Sequence, residues 1–170
     1  MRRSFRTLAI VAPLALIVIS GFWAARASAL QATPVAEGTG ASLILIEHAD
    51  RVTEVDLGEP GPSIGDMIVW GPNALYDEPN ASDTGAVTQG SCIAFDDSSN
   101  CVGTETIVFA DGSTLHFQGV ERGSGVPSMR TIVGGSGRYL GATGTMSVEP
   151  SADLTLWTKT IEFAAPVAAQ

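Results

Sequence analysis

Glu47 and His48 end the apolar run Leu43-Ile44-Leu45-Ile46, which puts ionisable groups at the edge of a segment made for burial. A carboxylate in that position can serve as a general acid or stabilise charge that develops on a bound molecule. The competing reading is a strand-end carboxylate in water, the usual fate of a surface glutamate. His48 and His116 are the only histidines. A metal site would need both of them with carboxylates, and they lie on distant segments, so no metal is expected. Asp96-Asp97-Ser98-Ser99-Asn100 is rich in oxygen but lacks the spacing of an EF-hand loop and reads as a turn. Trp70, Tyr76 and Phe117 are candidates to line a ligand pocket, with Phe95 and Trp157 beside them; each can equally fill an interior. Gly135-x-Gly137 is followed by Leu140 where a dinucleotide fingerprint needs its third glycine, and no nucleophilic triad assembles. No cofactor is expected.

Cys92 and Cys101 are the only cysteines, and the turn formers 96–100 lie between them. Two strands joined by such a turn bring the pair face to face, within bridging reach. A disulfide is expected, stabilising by about 2–3 kcal/mol because the loop it closes is short; a free buried thiol at Cys92 is the alternative.

These groups need a scaffold, and the chain offers short runs separated by turn signals, the pattern of an all-β barrel or sandwich. The runs are Ser42–His48 with a continuation to Leu57, Asp66–Tyr76, Ala86–Phe95, Cys101–Ala110, Thr114–Arg122, Ser128–Gly134, Thr143–Val148 and Leu154–Phe163. Asp111-Gly112 and Glu149-Pro150-Ser151 mark hairpins between them. About eight strands in meander order can close an antiparallel up-and-down barrel with room for side chains or one ligand. Leu43–Ile46 and Met67–Trp70 are apolar on both faces, which predicts cover from outside the barrel and hence a homo-oligomer. The segment 134–144 carries Gly134, Gly135, Gly137, Gly141 and Gly144 around Arg138-Tyr139 and reads as a tightly packed corner.

The first 29 residues read as an export signal. Arg2, Arg3 and Arg6 precede an apolar stretch from Leu8 to Ala25, and Ala27-Ser28-Ala29 suits cleavage after Ala29. An uncleaved anchor is the alternative, and Arg2-Arg3 only partly matches a twin-arginine signal. Residues 30–40 read as a flexible linker, 41–164 as the barrel domain and 165–170 as a loose tail. The chain after Ala29 holds all 18 acidic residues and five basic ones (Arg51, Arg122, Arg130, Arg138 and Lys159), a formal charge of 5 − 18 = −13. Such a surface repels phosphates and anionic lipids, which argues against nucleic acid and against membrane binding by the mature domain. A secreted, acidic domain is expected.

Four blocks in order carry a resemblance. They are Pro62-Ser63-Ile64-Gly65-Asp66 leading to Asn73-Ala74-Leu75-Tyr76-Asp77; Gln89-Gly90-Ser91-Cys92; Phe109-Ala110-Asp111-Gly112 leading to Phe117-Gln118-Gly119; and Ile132-Val133-Gly134-Gly135-Ser136-Gly137-Arg138-Tyr139 with Gly141-Ala142-Thr143-Gly144. Together they resemble the allene oxide cyclase and dirigent superfamily, especially its bacterial secreted members, over residues 41–164. The resemblance implies an eight-stranded antiparallel barrel, usually a trimer, with an apolar cavity at one mouth. It also implies chemistry by holding a reactive molecule in one shape. The cyclases' first-strand glutamate matches Glu47, their following asparagine falls on Ala49, their tyrosine near Glu121, and their cavity cysteine on Cys92, whose thiol a disulfide would remove.

The expectation is therefore a secreted barrel that binds a small apolar ligand. One alternative is an isomerase of the cyclase kind that steers the stereochemistry of a reactive intermediate, with Glu47 as its polar group. Another is an inert structural or surface-interaction barrel.

Overall fold

The computed structural model describes residues 40–123 and 125–164. The export signal read in residues 1–29, nearly all of the 30–40 linker and the 165–170 tail lie outside the described residues. The strands are β1 (Ser42–His48), β2 (Val52–Val55), β3 (Met67–Tyr76), β4 (Asp83–Ala94), β5 (Cys101–Val108), β6 (Thr114–Glu121), β7 (Ser128–Ser136), β8 (Gly144–Pro150) and β9 (Leu156–Phe163). Their order in the sheet is β1-β9-β8-β7-β6-β5-β4-β3-β2, and a further pairing of β1 with β3 closes it. Ile46 and Glu47 of β1 face Tyr76 and Leu75 at one end of β3, while Val52–Val55 of β2 run beside Met67–Trp70 at the other. β1 and β2 thus form one wall position, broken at residues 49–51. The result is an all-β, closed, eight-stranded antiparallel barrel. Its one helical element among the described residues is the single 3-10 turn Gly137–Tyr139.

Alternation of side chains decides what lies inside. In β5, Cys101, Gly103, Glu105 and Ile107 face inward and their neighbours outward. Leu45, Leu75, Ile107, Phe109, Leu115, Phe117, Ile132, Met146, Val148, Ile161 and Phe163 fill one half of the barrel as a continuous apolar core. The glycine-rich corner closes that half. A Cβ on Gly135 would lie 2.6 Å from the carbonyl oxygen of Tyr139 and 2.8 Å from that of Thr114, so only glycine fits there. This close approach folds Tyr139 back over the barrel end, where its ring meets Phe109 at 4.6 Å and Phe163 at 5.8 Å. Arg138 lies over the rings of Phe109 and Tyr139 and pairs with Asp111.

At the opposite end, Cys92 and Cys101 are joined in a disulfide across β4 and β5, with their Cα atoms 5.5 Å apart. Trp70 packs against the bridge, with Ile68 beside it.

Candidate functional site

Between the apolar core and the disulfide end, the interior turns ionic. Glu105 of β5 is fully enclosed and accepts hydrogen bonds from Arg130 of β7, Lys159 of β9 and Thr88 of β4. Lys159 Nζ lies 2.7 Å from Glu105 and 2.8 Å from Glu47 of β1, and the second Arg130 Nη group pairs with Glu121 of β6. Asn73 Nδ2 donates to Glu47 at 2.7 Å, while Asn73 Oδ1 accepts from the Arg51 amide at 2.9 Å. Both carboxylate oxygens of Glu47 are therefore held. The belt draws on seven of the eight wall positions, all but that of β8, and two of the five basic residues after Ala29 are buried in it.

Local features put these groups inside. Trp70 and Asn73, three residues apart, both face inward because β3 carries a register shift between them. Gly90 and Gly119 leave the wall bare where long side chains must lie flat. A Cβ on Gly90 would stand 2.5 Å from the Trp70 ring, and one on Gly119 would stand 2.9 Å from Arg130 Cα and 3.2 Å from its Cγ. The Arg130 guanidinium carbon then rests 5.3 Å from the centre of the Trp70 ring.

Burial and charge compete within the belt. Burial opposes ionisation of Glu105, but Lys159 and Arg130 outweigh it and hold the carboxyl below its ordinary value. Burial likewise works against the Lys159 ammonium, yet Glu105 and Glu47 prevail and raise it above its ordinary value. The belt is a fixed array of charges.

Over this floor lies a cavity of about 440 Å³, a size suited to a small molecule. Glu47, Glu121, Arg130 and Lys159 form its polar side; Trp70, Trp157, Ile68, Val148, Val52 and Leu154 supply apolar surface. Its lining also takes in Ser99, Gly123 and Gly125 at the disulfide end and Val52 and Glu54 of β2, whose one neighbour in the sheet is β3. The break between β1 and β2 leaves the wall beside Val52 and Glu54 available to the cavity.

The residues singled out from sequence separate here. Glu47 and Trp70 meet at the cavity, and Cys101 of the disulfide lines it. Tyr76 instead stacks on His48, ring centres 4.0 Å apart, and Phe117 belongs to the apolar core at 1% exposure. His48 bonds Asn80, while His116 sits between the hydroxyls of Thr106 and Thr114. Asp96 caps its own turn, accepting from the amides of Ser98 and Asn100. Lys159, Arg130, Glu105, Asn73 and Thr88 were not anticipated. The available signal was charge on the inward parity of a strand: Lys159 alternates in step with Trp157, Ile161 and Phe163.

A family model described as "Dirigent-like protein" matches residues 36–167. No curated protein matches by sequence. Among solved structures, a pyocyanin demethylase superimposes with TM-score 0.63 at 20% identity, covering 72% of this chain and 99% of that one. A pterocarpan synthase dirigent protein gives TM-score 0.59 at 17% identity, covering 72% and 83%. A nonspecific heme-binding cyclase that catalyses a cycloaddition in neoabyssomicin biosynthesis gives 0.60 at 20%, covering 74% and 68%. At these identities the structural likeness concerns the fold.

Proposed function

The chain belongs to the dirigent-like protein family, and from that premise we propose that it binds one small, largely apolar molecule in the mouth of its barrel. The observation that carries this reading is the 440 Å³ cavity, apolar on its walls and ionic on its floor. A pocket of that kind gains affinity from apolar burial and orientation from a few fixed polar groups. The same cavity weighs against an inert, filled barrel. Titration with a neutral environment-sensitive naphthalene dye tests the proposal. The wild type should bind with a blue-shifted emission, and Ala49→Trp, which adds bulk to the lining, should weaken binding at least roughly tenfold, about 1.4 kcal/mol. Equal binding by both proteins would remove the cavity from consideration.

A second reading is favoured by Glu47. Its carboxylate lines the cavity and is held by Asn73 and Lys159, as a group stabilising developing charge should be. On this reading the barrel is an isomerase of the cyclase kind that folds a reactive intermediate into one shape. Two structural neighbours, a pterocarpan synthase dirigent protein and a cyclase that catalyses a cycloaddition, lend support. Glu47→Gln separates the two readings: turnover of a reactive substrate should fall by roughly 10²-fold or more, with dye affinity preserved. Parallel loss of both would make Glu47 a structural residue only.

We also propose export and self-association. Export is supported by the signal-like residues 1–29 and by the disulfide, which suits an oxidising compartment. Self-association is supported by a transverse line of apolar residues on the outer wall. Val55, Met67, Ile93, Val102, Val120 and Met129 stand directly opposite one another across six strands. Directly paired residues share a face, and all but Met67 are more than a third exposed. A second copy of the chain is the proposed cover.

A further inference from the structure

Resting on the reading of the cavity as a binding site, we propose that Glu121 receives a cationic end of the ligand, so that the molecule taken up is an organic ammonium on an apolar body. Glu121 ends β6 and follows Phe117 and Gly119 on the inward parity of that strand. It lines the cavity, and its side chain is 17% exposed. One carboxylate oxygen, Oε2, pairs with the interior guanidinium of Arg130. The other, Oε1, accepts no hydrogen bond from the described residues, yet it is not buried: the one buried side-chain nitrogen or oxygen among them without a partner is Arg130 Nε. Oε1 is therefore open, and because the side chain turns into the barrel mouth, it opens to the cavity. The other belt carboxylates have no oxygen to spare. Glu47 is held by Asn73 and Lys159, and Glu105 by Arg130, Lys159 and Thr88.

A carboxylate only accepts, so whatever meets Oε1 must donate. Charge decides which donor fits. The belt holds three carboxylates (Glu47, Glu105 and Glu121) and two cations (Arg130 and Lys159), a formal balance of 2 − 3 = −1. Glu54 and Arg122, which also line the cavity, cancel one another. Each belt cation already contacts two carboxylates, so the surplus negative charge rests with the carboxylate that has a free oxygen. An ammonium donates to Oε1 and brings the balance to zero. A hydroxyl donates but leaves the charge in place, and a ligand carboxylate adds to it. Glu121 is not fully enclosed, so an ammonium beside it keeps part of its water and escapes the full cost of burying an ion. The charge of −13 on the chain after Ala29 draws cations toward the mouth. Trp70, Val148, Leu154 and Trp157 of the same lining then take the apolar body.

Four matched probes test this by titration calorimetry: naphthylmethylamine (an ammonium at neutral pH), naphthylmethanol, naphthoate and methylnaphthalene. The wild-type barrel should bind the ammonium roughly tenfold or more tightly than the alcohol, and naphthoate least. Glu121→Gln should remove the ammonium's advantage over the alcohol and leave methylnaphthalene unchanged, with the circular dichroism of the barrel retained. Glu54→Gln removes a lining charge of the same sign on β2 and should leave that advantage intact. If Glu121→Gln fails to fold, the wild-type ranking and Glu54→Gln decide. Equal binding of the four probes, or tighter binding of naphthoate, overturns the selection by Glu121 and leaves the cavity standing. An advantage that survives Glu121→Gln, or that Glu54→Gln removes, does the same, since it would then arise from the general field of the mouth. Binding of none of the four overturns the cavity reading and this inference with it.

Discussion

Glu105 is an ion whose hydration has been replaced by protein groups: a guanidinium, an ammonium and a hydroxyl surround it inside the barrel. Such an arrangement ties stability to protonation. Glu105 is held below its ordinary value of 4.5, so the stability it contributes is present above that pH and is lost as pH falls through the folded value. Lys159 is raised above 10.5, so its contribution is complete below that pH and is lost as pH rises through the folded value. Asp66, lowered chiefly by the Leu57 amide, adds to the acid side with the same sign. Thermal midpoints should therefore form a plateau across neutral pH and fall below pH 4.5 and above pH 10.5. Flat midpoints through the acid range would show that Glu105 is not an ionised partner. At this scale the sequence was least legible. In β7 the apolar Met129 would be expected inside and Arg130 outside; Met129 is 59% exposed and Arg130 is buried. Local hydrophobicity pointed the wrong way because the outer wall is itself apolar there and the interior is ionic. Glu47 stands out in the sequence because it ends an apolar run, but that run is apolar on both faces and does not say which way the carboxylate points.

Among the elements, the hairpin of β4 and β5 has the simplest test. Its disulfide encloses the turn that Asp96 organises, and replacing Cys92 and Cys101 together by alanine should lower unfolding stability by about 2–3 kcal/mol. Urea midpoints with unchanged slopes would measure it; a change below about 0.5 kcal/mol would mean that the turn alone holds the hairpin. Strands and turns were read with little error, because alternation and Asp-Gly or Asp-Ser turns are local properties of the chain. The split of the first wall strand was less legible. By pattern Ser42–His48 continues to Leu57 as one run, but the break at residues 49–51 depends on β1 pairing with β9 while β2 pairs with β3 alone. No local pattern encodes that choice. The break nevertheless bears on the cavity, which Ala49, Val52 and Glu54 line.

For the whole molecule, the apolar line from Val55 to Met129 leads to the largest-scale expectation. Sedimentation at micromolar concentration should report an oligomer, and Val102→Asp with Val120→Asp, two outward residues directly paired, should convert it to monomer. A wild-type monomer would leave that line without the proposed cover. Eight runs in meander order pointed to a barrel or sandwich and the family resemblance to a closed barrel, but the pairing that closes it, β1 with β3, joins the first strand to the third by a stagger that spacing does not announce. The ionic belt has one more consequence. It divides the interior into an apolar half that folds the chain and an open half that lines the cavity. Substitutions at Val52 or Leu154 alter the cavity without entering the continuous core of Leu75, Ile107, Leu115 and Ile161. One scaffold can thus acquire new ligands by successive mutation while its folding stays intact, and directed evolution confined to the mouth should retain most of its library as folded protein.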